Sequence, residues 1–321
     1  MEPTLDYLKL WKTLLRTGIK DRFSVLRSEF FMKIATDGPR VYKGEEALNQ
    51  IVSESEAFKL CPEMKERLDL AISKDDEFKH YSYRSENGTM LIEYFANRSN
   101  AISKELIDKS GINDYQVDGY CGSWAVDFDV PERGETESEE EELTEKTANW
   151  ATIHFIVIAE CSEGINPETY PRIIKHELTH ACLYEMRKLF RTGYYQTLRV
   201  PATWTDKDIA SWNDDLKELY RVLESKDEEC EMFKEFISDF LMYESDGQTK
   251  ERNPIVESRV PKATKPDAKP RVTYRTLNPV DRFEENMDQY DEIYHDWFQL
   301  ILDTLKPAYD KYDELLDDTR M

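Results

Sequence analysis

Residues 171–183 read Pro171-Arg172-Ile173-Ile174-Lys175-His176-Glu177-Leu178-Thr179-His180-Ala181-Cys182-Leu183. Ile173, Ile174, Leu178, Cys182 and Leu183 place apolar groups on several faces at helical spacing, the pattern of a buried helix. His176 and His180 stand four residues apart, one helical turn apart on one face. Two imidazoles so placed can converge on one metal ion. Glu177 sits beside His176, angled toward the same cleft, where it can hold a water at such an ion without entering its coordination plane. The chain has only five histidines, so chance rarely produces this H-E-x-x-H.

Two histidines leave a metal short of ligands. Position 186 is Met, which excludes a third histidine six residues after His180. The next source is Cys230 to Leu241, where Met232, Phe236 and Phe240 form one apolar stripe with Phe233, Ile237 and Leu241 beside it. Glu235 and Asp239 share a face of this helix. A carboxylate pair on so apolar a helix needs partners, because buried unpaired charge is costly. A metal ion for Glu235, and an imidazole N–H for Asp239, would supply them.

His-Glu-Leu-Thr-His-Ala followed by Glu-x-x-Ser-Asp resembles the gluzincin clan of zincin metallopeptidases, which includes thermolysin and the short intracellular ImmA-like peptidases of phages and mobile elements. The likeness spans roughly residues 150–245. It implies one zinc ion held by His176, His180 and Glu235, with Asp239 supporting a ligand histidine. It also implies peptide-bond hydrolysis by a water that Glu177 activates at the metal, on peptide or protein substrates. The gap from His180 to Glu235 is longer than in thermolysin. Residues 188–227 therefore read as an insertion, and Glu228, Glu229 and Glu231 remain rival ligands. No motif matches the family's oxyanion-stabilising histidine and tyrosine; His295, Tyr294 and Tyr243 are the conceivable substitutes. Zincins place a strand at the cleft edge. Residues 151–159 are assigned that place, with His154 able to face the cleft.

The fold class expected is α+β: a zincin-like core with a small mixed or antiparallel sheet and the H-E-x-x-H helix, flanked by helical ends. Four regions follow: 1–75 helical, 76–248 the metallopeptidase core, 249–280 a basic, proline-rich linker or lid, and 281–321 helical. Helix is expected over 4–34 and over 45–73, with Cys61-Pro62 breaking the second run. Residues 80–95 read as a hairpin about Asn87-Gly88. A short helix is expected over 101–109 and one or two strands over 115–130. Residues 132–147, rich in Glu, read as a solvated loop. Trp150 to Ala159 is the clearest strand. Helix resumes over 171–190 and 206–243, and a final helix or helical pair is expected over 281–317.

Composition sets the outer bounds. There are 43 basic and 66 acidic side chains, a net charge of -23, which disfavours nucleic-acid binding. Five widely spaced cysteines without CxxC argue against a disulfide framework or a thiolate zinc site. Neither a signal peptide nor a membrane span is expected, and the cytoplasm is the expected compartment. The alternative reading is a catalytically inactive metal-binding protein, or an acidic regulatory or interaction protein of phage or mobile-element type. An intact Glu177 argues against it, since a purely structural metal site has no use for that residue.

Overall fold

The computed structural model describes residues 3–72, 77–86, 88–97, 119–127, 150–159, 170–191, 200–248, 254–255, 273–274, 280, 283–284 and 287–318. By its contacts the chain divides into two compact units, Thr13–Lys226 and Met1–Lys12 with Asp227–Met321.

In order, the larger unit holds the end of α1 (Tyr7–Arg16), α2 (Ile19–Asp37), β1 (Arg40–Lys43), α3 (Gly44–Glu54), α4 (Glu56–Leu60) and α5 (Glu63–Ala71). Then come β2 (Glu77–Arg84), β3 (Met90–Asn97), β4 (Gly119–Asp127), β5 (Trp150–Ala159), α6 (Tyr170–Arg191) and α7 (Asp206–Glu224). The sheet has five strands in the order β1-β2-β3-β5-β4. β3 and β5 run parallel, and the other neighbours are antiparallel. The fold class is therefore α+β with a mixed sheet.

The expected hairpin is β2–β3, closed where Gly88 N–H donates to the Ser85 carbonyl at 2.9 Å. Gly88 has φ +71°, a conformation that glycine adopts without steric cost. The helix expected over 4–34 is interrupted at Gly18, φ +79°, and so becomes α1 and α2. β1 was not expected at all. Residues 101–109 and 132–147 lie outside the described residues.

Helices cover both faces of the sheet. Ile153, Phe155 and Val157 of β5 join Phe78, Leu91 and Phe95 in a core with Leu48, Phe58, Met64 and Leu68 of α3–α5. On the other face Phe30 of α2 packs its ring against Tyr81, Tyr83 and Tyr94. α6 lies on that same face against β4 and β5. Residues 153 and 155–158 of β5 are all fully buried, as both covered faces require. β5 is thus an interior strand, and the edge beside α6 belongs to β4. This corrects the cleft-edge place given to residues 151–159. The strand's near-continuous apolar run is the mark of burial on two sides, not of an edge.

The smaller unit holds α8 (Glu228–Gln248), the short strands β6 (Pro254–Ile255) and β7 (Thr273–Tyr274), a 3-10 turn at Met287–Gln289 and α9 (Glu292–Asp318). The helix expected over 206–243 is two helices, since Ser225 turns extended (φ −67°, ψ 147°) and ends α7. The unit is packed by aromatic rings. Tyr7 stacks on Phe233 at 5.5 Å, and Phe236 stacks on Phe298 at 4.5 Å. Trp11 meets Phe236 and Phe240 edge-on. The first residues of the chain belong here because Glu229 accepts bonds from the backbone N–H groups of Thr4 and Leu5. Among the described residues no helix is long and apolar enough to cross a membrane.

Candidate metal centre

α6 forms where the sequence places Leu178, Ala181, Leu183 and Met186 without an internal glycine, and Pro171 falls in its first turn, where a missing N–H costs nothing. Ile174, Leu178, Ala181, Cys182 and Leu183 are buried. The helix is thus held on most sides, and its histidines sit on rigid support. Their side chains meet as the spacing predicts: His176 Nε2 and His180 Nε2 are 3.0 Å apart, with ring centroids at 4.8 Å. Both rings are half-buried. Two nitrogens each about 2.05 Å from a tetrahedral ion stand about 3.3 Å apart. A few tenths of an ångström of opening would bring the pair to that geometry.

Glu177 is buried, at 5% exposure, beneath β4. A Cβ added at Gly119 would stand 2.4 Å from Glu177 Oε1, so strand and carboxylate are in close contact. Cys121 faces the same side two residues on. Its thiol pKa is raised, chiefly by burial and then by the charge of Glu177.

The carboxylates belong to the smaller unit. On α8, Phe233, Phe236, Ile237, Phe240 and Leu241 are buried to within 1% exposure, as their spacing foretold, whereas Met232 is only half-buried. Glu235 and Asp239 are half-buried. Asp239 accepts a hydrogen bond from the Tyr290 phenol. The Tyr290 pKa is raised well above the usual phenol value, first by burial, then by Asp239 and Glu235. Nothing in the sequence pointed to Tyr290, which lies 51 residues away. Of the rival acids, Glu229 is occupied by the chain's first residues and Glu231 pairs with Lys234 at 2.7 Å.

His154 is fully buried. Ser123 Oγ lies 2.7 Å from its Nδ1 and Glu185 Oε1 3.3 Å from its Nε2. Thr152 donates its hydroxyl to the same Glu185 oxygen. Both ring nitrogens thus have an oxygen within hydrogen-bond reach. His154 therefore ties β4, β5 and α6 together rather than facing a cleft. Sequence reasoning missed Ser123 and Glu185, whose partners are remote in the chain. His295 donates from Nε2 to the Tyr290 carbonyl at 2.9 Å, and Tyr243 is buried on α8. On the opposite sheet face Glu93, also unremarked in the sequence, accepts from Ser55 and Ser82 and lies 2.7 Å from His80 Nε2.

No family model, curated protein or solved structure matches this chain.

Proposed function

We propose that this chain is a zinc-dependent peptidase with a zincin-like core, in which His176, His180 and Glu235 hold one zinc ion and Glu177 is the general base. The observation that carries the reading is the convergence of the His176 and His180 Nε2 atoms, with the buried Glu177 beside them. Two imidazoles and a carboxylate are a donor set that could hold a metal ion, and one that suits zinc. The mixed sheet with α6 on one face supports the zincin-like core.

When bound, the ion would act as a Lewis acid on the scissile carbonyl and lower the pKa of water. The remaining work falls to the chain itself. Glu177 would take the proton of the attacking water and return it to the leaving amine. Its burial keeps the carboxylate in a low-dielectric setting, where its charge acts strongly. β4 pairs with one neighbour among the described residues, so its other edge would accept an extended peptide by backbone hydrogen bonds.

The test is cleavage of a peptide library by the zinc-loaded protein and by its Glu177→Gln variant. Cleavage by wild type, lost on chelation and lost in Glu177→Gln, is the expected outcome. Equal cleavage by both proteins would contradict the assignment. A protein that keeps zinc and cleaves nothing would point to the metal-binding regulatory alternative.

A further inference from the structure

Glycine usually stands where the backbone needs a positive φ, and Gly18, Gly38, Gly44 and Gly88 do so here, with φ from 70° to 84°. Gly119 is not among them. Its backbone conformation is open to any residue, so the reason for glycine there is the missing side chain itself. A Cβ at 119 would lie 2.4 Å from Glu177 Oε1, 3.1 Å from its Cδ and 2.7 Å from Ile173 Cγ2. At Gly18, Gly38 and Gly44 the same construction meets nothing within 4 Å.

We propose that Gly119 is a positioning residue for Glu177: β4 passes over the carboxylate with no side chain at this point, and its backbone confines the group. The purpose of that confinement rests on the hydrolytic reading above; the packing does not. The carboxylate has little room to retreat, because it is buried and its helix neighbours Ile174 and Leu178 are buried as well. Cys121, two residues along the same strand face, is close enough for its thiol to respond to the Glu177 charge. The stretch 119–121 therefore forms a roof over Glu177. An alanine at 119 would push the carboxylate aside while leaving His176 and His180 where they are, and a displacement of about 1 Å at a reacting group can cost on the order of a hundredfold in rate.

The experiment is a double-mutant cycle in thermal unfolding, using wild type, Gly119→Ala, Glu177→Ala and the double variant, with zinc content and peptide cleavage measured alongside. Gly119→Ala is expected to lower Tm by about 5 °C when Glu177 is present and by less than half as much in Glu177→Ala. Its zinc content should equal that of wild type. Its kcat should fall at least tenfold or so while KM stays within about twofold, since alanine keeps the backbone N–H and C=O groups through which β4 would pair with a peptide. Equal Tm losses in the two backgrounds, or an unchanged kcat, overturns the proposal. If wild type holds no zinc and cleaves nothing, the hydrolytic reading falls, while the Tm cycle still decides whether Gly119 confines the carboxylate.

Discussion

Two groups of histidines share the neighbourhood of α6, and they are built differently. His154 is fully buried, and each of its ring nitrogens faces an oxygen, of Ser123 on one side and Glu185 on the other. His176 and His180 are half-buried, and their Nε2 atoms face each other at 3.0 Å. The first arrangement gives both ring nitrogens an oxygen partner inside the protein and needs nothing more. The second brings two ring nitrogens within hydrogen-bond reach of each other, a spacing that a shared cation would also suit. Burial with oxygen partners thus reads as a structural tie, and convergence of nitrogen on nitrogen is what the proposed metal site rests on. The contrast predicts that substitutions at one group change chemistry and at the other change stability.

The largest effect belongs to the site. Glu177→Gln should lower kcat by about a thousandfold in the peptide assay, with zinc content and Tm near those of wild type. A comparable loss from His154→Ala, measured at a temperature where that variant is folded, would break the contrast. The expected cost of His154→Ala is instead about 2–3 kcal/mol of unfolding free energy in urea, because Glu185 and Ser123 lose their shared partner. Its zinc content should stay at the wild-type level.

Tyr290→Phe should have a smaller effect, about 1 kcal/mol, from the bond to Asp239. A Tyr290→Phe protein that lost its zinc would instead tie the phenol to the metal ligands. The smallest effect concerns pH. Burial alone would raise the Glu185 pKa, but the hydrogen bond and charge of His154, the Thr152 hydroxyl and Lys188 outweigh it and hold it below its ordinary 4.5. A depressed folded-state pKa adds stability above the ordinary value and loses it as pH falls through the folded one. Glu185→Gln should therefore lose less stability than wild type between about pH 6 and about pH 3 in urea titrations. An identical acid limb in both proteins would contradict that role for Glu185.

Much of the local structure was legible because it is written in neighbouring residues. The α6 helix and its convergent histidines follow from a four-residue spacing, and the β2–β3 hairpin from Asn87-Gly88 between alternating strands. The apolar stripe on α8 was equally plain. What failed depended on distant parts of the chain. β1 has four residues with an exposed, unalternating pattern, so no period could reveal it. Gly18 sits in an otherwise helical run, and a lone glycine there does not announce a break. The edge position passed from β5 to β4 because strand order is set by pairing across the chain. Ser123, Glu185 and Tyr290 carried no local signal, since each acquires meaning only from a partner at least 31 residues away. Gly119 was equally silent, because its neighbour Glu177 reaches it through the fold.

The central claim is a zinc ion shared by His176, His180 and Glu235, and elemental mass spectrometry of purified protein tests it most directly. The account predicts about one zinc per wild-type chain, the same in Glu177→Gln, and little or none in His176→Ala and Glu235→Ala. A wild-type protein that stays metal-free after incubation with zinc, or a Glu235→Ala variant that binds it as tightly as wild type, would contradict the account.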